Sequence, residues 1–229
     1  VNIRVVRVGL LDSGIIAETG IQVVATRCFH LDENQTVTCS AATTDVSGHG
    51  SILAQIITGL APSVEILSAQ VFDGARPSSP AVVAAGLKWL VEEGAEIVNM
   101  SFGLVTDRNV LRSACKLASP TGVVLLAAAA ARGHMVFPAA YPNVIAVTGD
   151  ARCAVGELSC LQNGWADIGA CPGGLDHKPH HRGGGASFAV AHVTGFLARS
   201  IGHGAVVDNA FEFLQSHCSY FGRERRTED

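Results

Sequence analysis

Charge is scarce in this 229-residue chain: Asp, Glu, Lys and Arg make up only 16%, and 16 basic against 20 acidic residues leave a formal net charge of −4. A protein that holds a phosphate backbone concentrates Lys and Arg on one face. No basic stripe is present, which argues against nucleic acid as a partner. Long apolar runs are missing as well. The longest, residues 122–131, is about ten residues, half of the roughly twenty that a bilayer-spanning helix needs, so no membrane partner is expected. The chain has no internal repeat and no Cys-x-x-Cys pair. Its seven cysteines (Cys28, Cys39, Cys115, Cys153, Cys160, Cys171 and Cys218) form an odd set without repeated spacing. That opposes a secreted disulfide framework and points to a reducing, cytoplasmic setting. The chain starts at Val1 in a strand pattern, without the basic segment, apolar stretch and small-residue cleavage site of a secretory leader. Because it does not begin with Met, a processed leader is left open.

What is abundant is apolar and small. Apolar residues reach 48%, and 25 glycines are spread along the chain, the composition of a folded globular protein. Short β-branched runs at 5–11, 23–29, 64–71, 96–100, 123–129 and 144–147 read as buried strands. Between them, residues 50–60, 79–93 and 107–117 read as helices, the last opened by Asp107 as an acidic cap. Helices near 187–200 and 206–217 close the pattern. Residues 148–185, rich in Gly, Cys, His and Pro, read as hairpins and loops over one sheet edge. The alternation predicts an α/β fold, a doubly wound, mostly parallel sheet with helices on both faces. Residues 1–222 are expected to form one domain, with the charged run 223–229 a solvated tail.

Three residues stand out chemically. Asp12 ends an apolar strand and precedes Ser-Gly, which places a carboxylate at the carboxyl edge of the sheet, where open α/β folds gather their active groups. His49 lies in Ser-Gly-His-Gly at the start of one helix, and Ser187 in Gly-Gly-Gly-Ala-Ser-Phe-Ala at the start of another. A serine hydroxyl is a poor nucleophile until a base takes its proton, and imidazole does this best when a carboxylate fixes its tautomer. Taken singly, such residues are ordinary turn formers and helix caps.

Together, in the order Asp, His, Ser, they resemble the subtilisin family. Val-Gly-Leu-Leu-Asp-Ser-Gly matches the aspartate motif, Gly-His-Gly-Ser the histidine motif, and Gly-Ala-Ser-Phe-Ala-Val-Ala-His-Val-Thr-Gly the serine motif. Residues 97–103, Ile-Val-Asn-Met-Ser-Phe-Gly, resemble the segment that pairs with substrate backbone as an added strand. Residues 137–147 resemble the segment beyond the specificity pocket. The resemblance implies a subtilisin-like fold and a triad of Asp12, His49 and Ser187. It also implies a pocket walled by Ser101, Phe102, Gly103, Ala127, Ala128 and Ala129, with Val136 at a base where glycine is common. The partner implied is a peptide or protein bound as an extended strand.

The chain also departs from the family. Alignment through Gly133 puts Ala131 where the oxyanion asparagine belongs, and alanine has no side-chain donor. The backbone N–H of Ser187 is the donor expected to remain. Arg132, His134 or a side chain from 148–185 are candidate substitutes, and the sequence does not choose among them. The calcium loop after the catalytic histidine is absent and few residues precede Asp12, so no calcium site is expected, nor an inhibitory propeptide domain. Cys153, Cys160 and Cys171 with His177, His180 and His181 are spaced poorly for zinc, so no metal and no cofactor is expected. His192 reads as a packed helix residue.

These features favour a serine endopeptidase making slow, selective cuts. It is similar in character to small subtilases that remove leaders from modified peptides or enzyme subunits, as in quinohemoprotein amine dehydrogenase biogenesis. The alternative is a catalytically impaired subtilase that holds an extended peptide as a scaffold or chaperone. A nucleotide-binding doubly wound domain is disfavoured, because no Gly-x-Gly-x-x-Gly turn follows the first strand.

Overall fold

The computed structural model describes residues 3–16, 20–74, 78–130, 134–161, 163–176 and 184–223. Among the described residues ten strands form one sheet: β1 (Val6–Asp12), β2 (Val23–Leu31), β3 (Val37–Ser40), β4 (Val64–Gln70), β5 (Ile97–Met100), β6 (Val124–Ala128), β7 (Ile145–Gly149), β8 (Leu158–Cys160), β9 (Ile168–Ala170) and β10 (Tyr220–Phe221). The α-helices among the described residues are α1 (His49–Leu60), α2 (Pro80–Glu92), α3 (Asn109–Ala118), α4 (Ala186–Gly202) and α5 (Ala210–Ser216). The strand order is β10-β8-β9-β7-β6-β5-β1-β4-β2-β3. The run from β2 through β4, β1, β5, β6 and β7 to β9 is parallel, and the β2–β3 and β8–β9 pairs are antiparallel. A mostly parallel, doubly wound sheet is therefore what the sequence forms.

The central strands β1, β5 and β6 are largely apolar because both faces of the sheet are buried there. Along β1 the side chains alternate: Val6, Val8 and Leu10 join the core under α1 and α4, while Leu11 joins the core under α2 and α3. Gly9 leaves room for Leu90 of α2 on that second face. Strand β1 lies between β4 and β5, so the chain crosses it on leaving β4, and this switch point sets Asp12 at the centre of the carboxyl edge.

Several expectations need correction. Asp107 does not cap α3, which starts at Asn109 after an extended Arg108 and has no side-chain cap. Instead Asp107 pairs with Arg112 and accepts the Tyr141 hydroxyl at 2.8 Å. The last helix is shorter than expected because Asn209 accepts the N–H groups of Phe211 and Glu212, so α5 begins only at Ala210. Strand β3 was hidden in a polar stretch. Asp32 folds the chain back by accepting the N–H groups of Asn34 and Thr36 at 2.9 and 2.8 Å, which pairs Leu31 with Val37. Within 148–185 the expected hairpin is β8–β9, and β10 extends that edge. The tail 224–229 lies outside the described residues. No helix among the described residues is long and apolar enough to cross a membrane.

Candidate active site

Asp12 is 2% exposed at the end of β1. Its Oδ1 accepts the N–H of Ser13 at 2.8 Å and the Ser13 hydroxyl at 3.1 Å, and lies 2.7 Å from Nδ1 of His49. The structure thus brings the first two candidate residues together. A polar bolt holds their elements in place. Gly50 donates its N–H to the Ser13 hydroxyl at 3.0 Å, and Ile16 donates to the Ser51 hydroxyl at 2.9 Å. Gly50 is needed here because a Cβ would strike the carbonyl of Gly14.

The turn that delivers His49 is organised by Asp45, which the sequence reading passed over. This carboxylate, 3% exposed, accepts the Gly48 N–H and Ser47 hydroxyl on one oxygen and the Ser51 N–H and hydroxyl on the other, at 2.8–3.0 Å. The signal was Asp-x-x-Gly just ahead of an apolar helix, a carboxylate placed to receive the unpaired N–H groups of a helix start. Burial, the largest single influence on the His49 imidazole, lowers its pKa. The hydrogen bond and charge of Asp12, with the charge of Asp45, outweigh it and raise the pKa above the ordinary 6.5.

Ser187 stands in the first turn of α4, next to the same edge. Helices α1 and α4 pack so closely that a Cβ on Gly195 would meet Leu60 and the carbonyl of Ile57. Gly195 lies two turns beyond Ser187 on α4, and Ile57 two turns beyond His49 on α1. The Ser187 hydroxyl donates to the Ser101 carbonyl at 3.1 Å, and the Ser101 hydroxyl donates back to the Ser187 carbonyl at 3.0 Å. Gly185 provides no side-chain cap, and the first intrahelical bond runs from Ala189 to Gly185, so the Ser187 N–H lies ahead of the helix ladder.

Ser101 and Phe102 continue from β5, and Gly103 is exposed. Beside them, Leu104 and Phe137 exchange both backbone hydrogen bonds, at 2.7 and 2.8 Å. This bridge brings Val136 against Gly103, where a Cβ would come to 3.0 Å from the valine side chain. Ala127 and Ala128 end β6, and Ala129 follows; all three are buried. Ala131 and Arg132 lie outside the described residues, and His134 is exposed.

His192 is 1% exposed and its Nε2 lies 2.9 Å from the Gly173 carbonyl, a packed helix residue as expected. Cys153, Cys160 and Cys171 are buried, while His177, His180 and His181 lie outside the described residues. Among the described residues no group of three His, Cys, Asp or Glu could hold a metal ion.

Comparison with known proteins decides the family. The model of the subtilase family, Peptidase_S8, matches residues 4–203. The chain belongs to the subtilase family. Subtilisin DY of Bacillus licheniformis is 29% identical over 158 residues, 62% of this chain and 55% of its own. The thermostable alkaline protease of Halalkalibacterium halodurans is 27% identical over 209 residues, 84% of this chain and again 55% of its own. This subtilase chain spans about half the length of those relatives. Among solved structures, the epidermin leader peptide processing serine protease of Staphylococcus aureus superposes with a TM-score of 0.67 at 18% identity, covering 86% of this chain and 65% of the other. The nisin leader peptidase of Lactococcus lactis gives 0.63 at 19%, covering 86% and 78%. At those identities the likeness is one of fold.

Proposed function

We propose that this subtilase is a serine endopeptidase with Ser187 as nucleophile, His49 as general base and Asp12 as the carboxylate that orients the imidazole. The observation that carries the reading is the 2.7 Å pairing of Asp12 with His49 Nδ1 at the sheet edge where α4 presents Ser187. With Nδ1–H held by Asp12, the imidazole keeps its free lone pair on Nε2, the nitrogen that must accept a proton. The substrate lies as an extended strand along Ser101, Phe102 and Gly103. For the reaction the Ser187 hydroxyl must leave the Ser101 carbonyl, to which it donates at 3.1 Å, and take Nε2 as its partner. The oxygen then attacks the scissile carbonyl while the proton passes to His49. The carbonyl π bond opens to an oxyanion, which faces the Ser187 N–H. Collapse of this intermediate breaks the C–N bond, His49 returns the proton to the departing amine, and water repeats the sequence on the acyl-enzyme.

The substrate reading is one peptide or a small set of proteins, cut slowly during maturation or leader removal. Support comes from the alanine at 131, which leaves one oxyanion donor fewer, and from the names of the two fold neighbours, which process peptide leaders. Val136, packed on Gly103, supports a shallow pocket that takes a small residue before the cut. Seven free cysteines support a cytoplasmic setting. The second reading, a peptide-holding scaffold, is favoured by a nucleophile whose proton is directed at Ser101. Labelling with a fluorophosphonate probe separates the two: Ser187-dependent labelling supports the peptidase, and an unlabelled protein that binds peptide tightly supports the scaffold.

A further inference from the structure

The interface between α4 and β5 carries a line of polar groups through an otherwise apolar core. Strand β5 sends Ile97 and Asn99 toward α4, and Val98 and Met100 toward the opposite core. Asn99 and Thr194 are both fully buried, and Ser101 is 6% exposed. Their bonds run in one direction. The Thr194 hydroxyl donates to Asn99 Oδ1 at 3.1 Å, Asn99 Nδ2 donates to the Ser101 hydroxyl at 2.9 Å, and that hydroxyl donates to the Ser187 carbonyl at 3.0 Å. Thr194 stands two turns beyond Ser187 on the same helix, so the chain of bonds leaves α4, runs along β5 and returns to α4 at the nucleophile.

Burying amide and hydroxyl groups between a helix and a sheet is unfavourable unless every one is paired. Apolar side chains of similar size would fill this space without that cost, so packing alone does not account for the choice. What the polar line adds is direction. Thr194 fixes the flip of the Asn99 amide, and the amide leaves the Ser101 hydroxyl only its proton to give. That proton goes to the peptide carbonyl of Ser187, whose helical partner is the N–H of Ala191.

We infer that Asn99 and Thr194 are positioning residues that hold the Ser187 backbone, and with it the Ser187 N–H, in register with His49. The inference rests on the peptidase reading for its kinetic consequence, though not for its structural one. The substitution Thr194→Val keeps the shape and removes the donor. Hydrogen exchange of the amides of residues 189–191, which close the first turn of α4, is expected to speed up about tenfold, with residues 196–202 unchanged. For a peptide substrate kcat is expected to fall about tenfold or more with KM little altered, and Thr194→Ser to restore both readouts. Should the valine variant not fold, Thr194→Ala carries the same expectation. A lower melting temperature with local exchange and kcat unchanged overturns the inference, since a merely structural threonine behaves that way. Wild-type protein that neither cleaves nor labels would sink the peptidase reading instead, and the exchange measurement still decides this one.

Discussion

Nδ1 of His49 and Oδ1 of Asp12 are 2.7 Å apart, and that same carboxylate oxygen accepts both the N–H and the hydroxyl of Ser13. A carboxylate held from three sides at the end of a buried strand cannot swing away, so the imidazole it grips is fixed in tautomer and in plane. Ser187→Ala and His49→Ala are each expected to abolish cleavage and fluorophosphonate labelling while the melting temperature stays near that of the wild type. Asp12→Asn is expected to do almost as much harm, because an amide in its place favours the wrong imidazole tautomer. Normal cleavage by the Ser187→Ala protein would end the assignment.

The raised pKa of His49 has opposite consequences for activity and stability. The base must be neutral, so kcat/KM should fall as pH drops through a value above 6.5, the ordinary figure for the group. Protonation is favoured in the folded state, so the charged imidazole stabilises the fold fully below the unfolded pKa. That contribution is lost as pH rises through the higher folded value. Asp45→Asn removes one of the charges that hold the pKa up and should move the acid limb of the profile toward lower pH. A limb that stays in place in this variant would show that Asp45 shapes the turn without acting on the imidazole.

The family motifs singled out Asp12, His49 and Ser187 as candidates because each sits where the chain turns off a strand or into a helix, and local sequence reports such junctions. The parallel core was legible for the same reason: strands buried on both faces are continuous apolar runs. What stayed hidden depends on contacts across the chain. Thr194 reads as one more residue of an apolar helix until β5 places Asn99 against it. Asp45 reads as a turn former until both its oxygens are seen filled. Strand β3 lacks a sharp alternation, and its pairing comes from the Asp32 turn and from β2 rather than from its own residues.

Val136 supplies a graded prediction for the residue just before the cut. Its side chain occupies the space beside Gly103, so Gly or Ala should be accepted before Phe, Leu or Lys. Apolar pockets discriminate by only about 1–3 kcal/mol per methylene, so the larger residues should be slowed and not excluded. A peptide library varied at that one position measures the ranking, and Val136→Gly should flatten it. Faster cleavage after Phe or Leu than after Gly or Ala in the wild type would show that the valine does not close the pocket.

Metal dependence is testable with the same protein. Among the described residues no cluster is suited to an ion. Chelator is therefore expected to leave both melting temperature and activity unchanged, since no bound ion adds its binding energy to the folded state. A fall of many degrees on adding chelator would place a metal site in this chain after all.

Position 131 gives the most direct test of the slow-cleavage reading. If an alanine there has removed one of two oxyanion donors, Ala131→Asn should return it. Loss of such a donor from a subtilisin costs about 10²–10³ in kcat, so the variant should gain up to that factor while KM changes little. The gain will be smaller where another group already serves. Arg132→Ala and His134→Ala then identify it, because the variant that removes the substitute should lose kcat in the alanine background and lose little once asparagine stands at 131. An Ala131→Asn protein with unchanged kcat, in which neither further variant has any effect, would show that the oxyanion is stabilised without a side chain from this stretch and that the slow rate, if observed, has another origin.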